Sequence, residues 1–261
     1  MIAFLSIIAV GFFLGMRHAT DPDHVIAVST IVTRQRSLSR AAMIGAFWGL
    51  GHTITIFVVG AGIILFNLVI PARLGLSMEL SVGVMLIILG IVNIVSFLRS
   101  VPDLHPSNAG HSHSHGDYIH NHRHSHERDA HSHGPDQTPV AFLDKVFKNF
   151  GAYQHLRPLA VGLVHGLAGS AAVALLVLST IRDPRWAIVY LLVFGVGTIA
   201  GMMVITLSLA TTIKFAGRKQ SVSRKLAMAS GLLSLAFGFF VVYQMGFVNG
   251  LFTSHPLWTP R

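Results

Sequence analysis

Hydrophobic residues along this chain form long blocks that are separated by polar segments. Six blocks of about 20 or more mostly apolar residues lie at about 2–32, 41–66, 79–98, 157–181, 186–213 and 226–250. An α-helix needs about 20 such residues to cross the roughly 30 Å hydrocarbon core of a bilayer. The pattern therefore predicts an all-α integral membrane protein with six transmembrane helices. Only 11% of the residues are charged, whereas soluble domains carry about 25%, so composition agrees with the pattern.

The first block is interrupted by a charged octapeptide, RHATDPDH, at residues 17–24. A charged side chain at the centre of a membrane helix costs on the order of 2.5–3.5 kcal/mol, so several of them need compensation, which a bound cation would supply. Pro22 lacks an N–H and crowds the carbonyl of His18, so we expect the first helix to break here. Arg17 is expected to pair with Asp21 or Asp23 and to support the site.

Helical spacing places most of the candidate ligands of this octapeptide on one face. On a straight helix His18, Asp21 and His24 form one stripe about 120° wide. Asp23 points the other way, but a break at Pro22 would turn it toward the same cavity. Broken helices of this kind are where many transporters place their ion sites.

Two more histidines occur near the centres of apolar blocks, His52 in the second and His165 in the fourth. Either one alone is also explained by a hydrogen bond inside a packed bundle, and the octapeptide by a structural ion-pair cluster. Taken together, the pattern predicts a mid-membrane metal site. Its candidate ligands are His18, Asp21, Asp23, His24, His52 and His165.

The ligand types favour particular ions. The chain has no cysteine, so thiolate sites are excluded. Imidazole with carboxylate suits Ni(II), Co(II) or Zn(II) better than Cu(I), while Ca²⁺ and Mg²⁺ prefer more carboxylates. The ion is expected to be cargo, and no resident cofactor is expected.

A second histidine-rich region lies between the third and fourth blocks. Ten of the sixteen histidines fall between residues 105 and 133, among Ser, Gly, Asn and Asp. This segment cannot bury a core, so we expect it to be disordered without ligand and to buffer metal ions. Residues 140–150 predict a short helix at the membrane surface. The candidate metal-buffering residues are His111, His113, His115, His120, His122, His124, His126, His131 and His133.

Basic residues are distributed unevenly. The net charge is +9, and fourteen of the nineteen Lys and Arg residues lie in three segments, 33–40, 99–157 and 214–225. The positive-inside rule places these segments in the cytoplasm, and both termini outside. The basic excess is therefore a topology signal and not a nucleic-acid patch.

The long linker divides three helices from three, and the two halves are weakly similar. His18 in GMRHATDPDH aligns with His165 in GLVHGLAGSA, and FWGLGHTITI aligns with VFGVGTIAGM, at offsets of 147 and 146. A repeat with an odd number of helices inserts the opposite way round, so the expected fold is a 3+3 inverted repeat. The predicted parts are 1–98, the linker 99–156, and 157–261.

The motif R-H-A-x-D-x-D-H at residues 17–24, followed by GLGHT at 49–53, resembles the nickel/cobalt transporter family (NiCoT, within the wider NicO group). This resemblance implies that His18, Asp23 and His24 are metal-site residues with His52 taking part. Larger members have eight helices and acidic motifs in their second halves, which this chain lacks. The short six-helix form is more similar to urease-accessory-type nickel transporters.

We therefore expect a secondary transporter, not an enzyme, that takes up Ni(II) or Co(II) across the cytoplasmic (inner) membrane. No GxxxxGK[ST] motif is present, so ATP use would need a partner. The alternatives are an efflux permease of the same ions, because the histidine-rich linker resembles an efflux branch, and a histidine-ligated membrane metalloenzyme. Cytoplasmic metallochaperones or urease and hydrogenase maturation proteins are candidate partners, and the oligomeric state stays open.

Overall fold

The structure is a computed structural model that describes residues 2–33, 35, 37–66, 70–99, 112–115, 118–121, 153–167, 181, 183–216 and 220–258. Helices account for most of the described residues. They are α1 (Ile2–His18), α2 (Pro22–Val32), α3 (Leu38–Phe66), α4 (Ala72–Arg99), α5 (Tyr153–His165), α6 (Pro184–Ala216) and α7 (Gln220–Tyr243), which a π-helical turn (Gln244–Val248) continues.

Four helices within the described residues are long and apolar enough to cross a membrane. They span Leu38–Phe66, Ala72–Leu98, Pro184–Phe215 and Lys225–Val248. These spans confirm the predicted all-α membrane architecture at four of the six apolar blocks. The first block forms two shorter apolar helices, and the fourth is described only as far as residue 167, so the count of six spans stays a prediction.

The first apolar block breaks where the sequence predicts. Helix α1 ends at His18, and α2 begins at Pro22 with Asp21 as its N-cap residue. The backbone N–H groups of Thr20 and Asp21 donate to the carbonyls of Arg17 and His18 in the intervening turn. Proline is favoured in the first turn of a helix because its missing N–H would have no helical partner there, so Pro22 starts a new helix instead of kinking an old one.

Helix α2 lies in the interior of the bundle. Val28 and Val32 are completely buried, and they belong to one apolar core with Trp48 of α3, Leu86 of α4 and Met202 of α6. Packing of this helix against α4, α6 and α7 fixes its first turn, which carries two of the candidate ligands, inside the protein.

Glycines allow two helix pairs to approach closely. A Cβ atom added at Gly15 of α1 would clash with the carbonyl oxygen of Phe194 in α6. A Cβ atom added at Gly162 of α5 would clash in the same way with the carbonyl oxygen of Trp48 in α3. Such backbone-to-backbone contact is how small residues hold membrane helices together. The pairs α1–α6 and α3–α5 therefore pack by the same device.

Two short strands lie within the histidine-rich linker. Strand β1 (Ser112–His115) pairs antiparallel with β2 (Tyr118–Asn121), and His113 is opposite His120. Composition predicts disorder for this segment and no such pair of strands, although the alternating His-x-His pattern has the two-residue period of a strand. The rest of the linker and the predicted surface helix at 140–150 lie outside the described residues, so those expectations stay predictions.

Candidate metal-binding cluster

The break between α1 and α2 brings the candidate ligands together. His18 is the last residue of α1, and Asp23 and His24 lie in the first turn of α2. His52 lies near the middle of α3, and His165 is the last residue of α5. Four helices from three separate parts of the sequence therefore contribute to one cluster.

His18 joins the first and third helices. Its Nε2 atom lies 2.8 Å from Nε2 of His52, and its Nδ1 atom lies 2.8 Å from Oδ2 of Asp21. An imidazole that donates from Nδ1 to a carboxylate presents the lone pair of Nε2 on its other side. The contact with Asp21 therefore orients the His18 ring toward His52.

Asp23 connects α2 with α5. Its Oδ1 atom lies 3.1 Å from Nδ1 of His24, and its Oδ2 atom lies 3.0 Å from Nε2 of His165. Both carboxylate oxygens thus contact imidazoles, one from the same helix and one from 142 residues further along the chain. The break at Pro22 is what lets Asp23 face the cluster, since on an unbroken helix it would point away.

Burial is graded across the cluster. His24, His52 and His165 have no exposed surface, and Asp23, which contacts His24 and His165, has 16% of its side chain exposed. Asp21 has 31% of its side chain exposed, which is more than any of the other five candidate ligands. The Asp21 side is therefore the accessible side of the cluster.

Three imidazole nitrogens in the cluster lack a hydrogen-bond partner among the described residues. They are Nε2 of His24, Nδ1 of His52 and Nδ1 of His165, and all three are buried. A buried polar group without a partner costs on the order of 1–3 kcal/mol. The hydrogen bonds among the described residues therefore leave part of the donor and acceptor capacity of these imidazoles unused.

Two aromatic rings that the sequence analysis did not single out form walls of the cluster. The ring of Phe194 in α6 lies 5.6 Å from His18, and the ring of Trp48 in α3 lies 5.6 Å from His165. Both rings are buried, so they exclude water from the imidazoles. Their only sequence signal is proximity to the glycine-rich segments that pack the helices.

The supporting residues behave differently from one another. Pro22 starts α2, as described above. Among the described residues Arg17 makes no ion pair with Asp21 or Asp23, whose carboxylates contact histidines instead. The expected pairing of Arg17 is therefore not observed.

The predicted linker ligands are only partly described. His113 and His115 lie on β1, and His120 lies on β2. The others fall outside the described residues: His111, His122, His124, His126, His131 and His133.

The cluster contains two groups of three residues that could hold a metal ion. One is His18, His24 and His52, and the other is Asp23, His24 and His165. In each group one ligand atom per residue lies within 4.8 Å of the others. The donor atoms are imidazole nitrogens and one carboxylate, which is the set that borderline divalent ions favour.

Comparison with known proteins agrees with this chemistry. The family model NicO, described as high-affinity nickel-transport protein, matches residues 4–241. The urease accessory protein UreH of Bacillus sp. (strain TB-90) is 34% identical over 248 residues, covering 95% of each chain. No solved structure matches the chain. The matching family consists of transport proteins and not of enzymes. This chain therefore belongs to the NicO family of nickel-transport proteins.

Proposed function

We propose that this chain takes up Ni(II) across the cytoplasmic membrane and binds the ion at the buried cluster. The observation that carries the proposal is that candidate ligands from four helices meet in one cluster. Imidazoles from α2 and α5 contact the carboxylate of Asp23, and imidazoles from α1 and α3 contact each other beside the His24 ring. Ionisable groups at membrane depth are costly and are usually retained for function, and a divalent ion would compensate for several of them together.

Distances within the cluster suit an ion. Two imidazole nitrogens bound to one ion, with metal–nitrogen bonds of about 2.0–2.1 Å, lie about 3 Å apart. The Nε2 atoms of His18 and His52 are 2.8 Å apart. Only a small movement of these two rings would replace their hydrogen bond by coordination of a shared ion.

The types of donor atom determine which ions the cluster can bind. Histidine with carboxylate and no sulfur favours Ni(II), Co(II) and Zn(II), and we propose nickel first because the family is one of nickel-transport proteins. The ion is cargo in this proposal, and no resident cofactor takes part. Asp21, at the accessible side, would attract the cation toward His18.

The two halves, 1–98 and 157–261, are proposed to be an inverted repeat joined by the linker 99–156. The glycine contacts support this arrangement. Gly162 lies 147 positions after Gly15, and Phe194 lies 146 positions after Trp48. The contact of Gly15 with Phe194 therefore recurs as the contact of Gly162 with Trp48, at the offsets of the sequence alignment.

Helix direction supports the inversion. Gly49 of α3 approaches Ile199 of α6, and Gly195 of α6 approaches Thr53 of α3. Residue numbers rise along one helix as they fall along the other, so α3 and α6 run antiparallel. Because these two helices are the proposed equivalents of each other, the repeats have opposite orientations in the membrane, which is the arrangement of many secondary transporters.

The uneven distribution of basic residues supports one orientation. The segments 33–40, 99–157 and 214–225 would be cytoplasmic, with both termini outside. A divalent cation moving inward gains about 2.3 kcal/mol per charge for each 100 mV of membrane potential. The ion would enter from outside, bind the cluster, and leave inward when the halves rock around it.

The cytoplasmic linker is the proposed receiver of the ion. Its histidines would buffer nickel before transfer to a metallochaperone or to urease or hydrogenase maturation proteins. Support for a maturation partner comes from the relative that is 34% identical, which is named a urease accessory protein.

The test is accumulation of radiolabelled nickel in cells that express the chain. We expect accumulation above cells with an empty vector, and a loss of at least ~10-fold for His18→Ala and for Asp23→Asn, because each removes a metal ligand. His255→Ala and Asp183→Asn are matched controls, since both residues are exposed and lie outside the cluster. All rates are compared at equal membrane expression.

Other outcomes would separate the alternatives. Lower accumulation with the intact chain than with empty vector, restored by both cluster variants, would identify an exporter. Wild-type accumulation in both cluster variants would mean that the cluster is a structural hydrogen-bond network and does not bind the transported ion.

A further inference from the structure

The cluster consists of two overlapping sets of ligands that share one histidine. We call His18, His24 and His52 the first triad, and Asp23, His24 and His165 the second triad. The rings of the first triad are evenly spaced, with centroids 4.8–4.9 Å apart. In the second triad the rings of His24 and His165 are closer, with centroids 4.2 Å apart.

The two triads join different parts of the chain. The first triad comes entirely from α1, α2 and α3, which precede the linker. The second triad joins α2 to α5, because His165 follows the linker. The contact that joins the two helices is between Asp23 Oδ2 and His165 Nε2, which lie 3.0 Å apart. The second triad therefore forms only while α2 and α5 are side by side, and movement of the halves would open it.

His24 is the residue that the two triads share. Its Nδ1 atom lies 3.1 Å from Asp23 in the second triad, and its Nε2 atom is buried without a hydrogen-bond partner among the described residues. A neutral imidazole has a lone pair on only one nitrogen at a time. His24 can therefore serve as a ligand in one triad or in the other, but not in both together.

We infer that the two triads are alternative positions for a single transported ion, which exchanges between them with His24 as the common ligand. This inference rests on the proposed function. The first triad binds the incoming ion within the first half of the chain. The second triad takes the ion over and couples it to the second half through His165. The ion is never without a protein ligand during this exchange, and its position depends on how close α2 and α5 are.

Matched substitutions test this inference in nickel uptake by proteoliposomes that contain the purified full-length chain. Initial rates are measured over a range of NiCl₂ concentrations for His52→Gln and His165→Gln. Glutamine retains a hydrogen-bond donor toward the neighbouring group and removes the imidazole ligand. His255→Gln, at an exposed site outside the cluster, is the control.

The expected result is a division between binding and turnover. His52→Gln raises KM at least ~10-fold, because it weakens initial capture. His165→Gln leaves KM within ~2-fold and lowers the maximal rate at least ~10-fold, because capture is intact and the later position is lost. Rates are normalised to the protein content of the vesicles, and His165→Asn is a second variant with the same expected division.

Three results would overturn the inference, and they are distinguishable. An equal rise in KM for both glutamine variants would indicate one site that uses all four histidines. Wild-type kinetics for His165→Gln would mean that His165 only positions Asp23. If the wild-type protein moved no more nickel than protein-free vesicles, the result would contradict both the proposed function and this inference.

Discussion

The two halves of the proposed repeat make similar backbone contacts but carry different chemistry. Gly15 against Phe194 and Gly162 against Trp48 are the same type of contact, at positions that the proposed repeat makes equivalent. At the position equivalent to His52, however, the second half has Thr198, whose hydroxyl donates to the carbonyl of Phe194 in its own helix. The proposed repeat therefore supplies a shared frame, whereas most of the candidate ligands belong to the first half.

The ring contacts extend this comparison. His18 and His165 are the one pair of aligned positions that carries histidine in both halves, and each imidazole has an aromatic neighbour at 5.6 Å, Phe194 or Trp48. The difference lies in their polar partners, since His18 contacts Asp21 and His52 while His165 contacts Asp23. Symmetry in packing thus coexists with asymmetry in charge, and an ion between the halves would have different ligands on its two sides.

The largest effect on folding is expected at the equivalent glycines. Gly15→Ala and Gly162→Ala each place a methyl group against a carbonyl oxygen of the facing helix. Backbone contacts cannot move aside as side chains do, so each variant should lose about 1–3 kcal/mol of stability. Thermal unfolding in detergent should show a similar decrease in Tm for both variants.

Gly11→Ala is the matched control for these variants. It lies on the same helix as Gly15, but the nearest atoms to an added Cβ are in the ring of Tyr190, at 3.1 Å. A side chain can shift, so this variant should change Tm much less. A large decrease for one glycine of the pair and none for the other would show that the two contacts differ energetically, and would argue against the repeat.

Local sequence patterns predicted part of this arrangement well. Pro22 signals the break because a proline without an N–H starts a helix more easily than it continues one, and the break is observed. The spacing of His18, Asp21 and His24, with His52 and His165 at matching depth, indicated which side chains meet, and all but Asp21 belong to the two triads.

Other features could not be predicted because they depend on packing between distant segments. Arg17 was expected to pair with Asp21, four residues away, or with Asp23, but both carboxylates contact histidines instead. The contact between Asp23 and His165 joins residues 142 positions apart. No local periodicity encodes it, because it depends on the close approach of α2 to α5.

A smaller effect is expected at a hydrogen bond that only the first half has. The hydroxyl of Thr55 donates to the carbonyl of Leu163 across the α3–α5 contact, at 2.9 Å. The equivalent of Thr55 in the second half is Gly201, which has no side chain to donate. Thr55→Val should cost about 0.6–1 kcal/mol, the usual value for such bonds between membrane helices, measured by unfolding in detergent.

Thr212→Val is the control for the Thr55 variant. Thr212 is exposed, and its hydroxyl donates to Ser208 within the same helix, so its loss should leave stability within about 0.5 kcal/mol. An equal effect of the two substitutions would mean that the bond between α3 and α5 contributes no more than one within a helix, and that the glycine contact alone holds this pair.

The smallest effect is expected where one half is converted to resemble the other. Trp48→Phe places in the first half the residue that the second half has at the equivalent position, Phe194. It retains a ring beside His165, and it removes a buried indole N–H that has no partner among the described residues. The cost of the smaller ring and the gain from removing an unpaired donor are each about 1–2 kcal/mol and oppose one another. Stability should therefore change by less than about 1 kcal/mol, and nickel uptake should stay within ~2-fold of wild type.

Trp48→Leu is the comparison variant. It removes the ring, so it should lose more stability and more nickel uptake than Trp48→Phe. Equal losses of uptake in the two variants would show that the indole N–H, and not the aromatic wall, is what the cluster requires from Trp48.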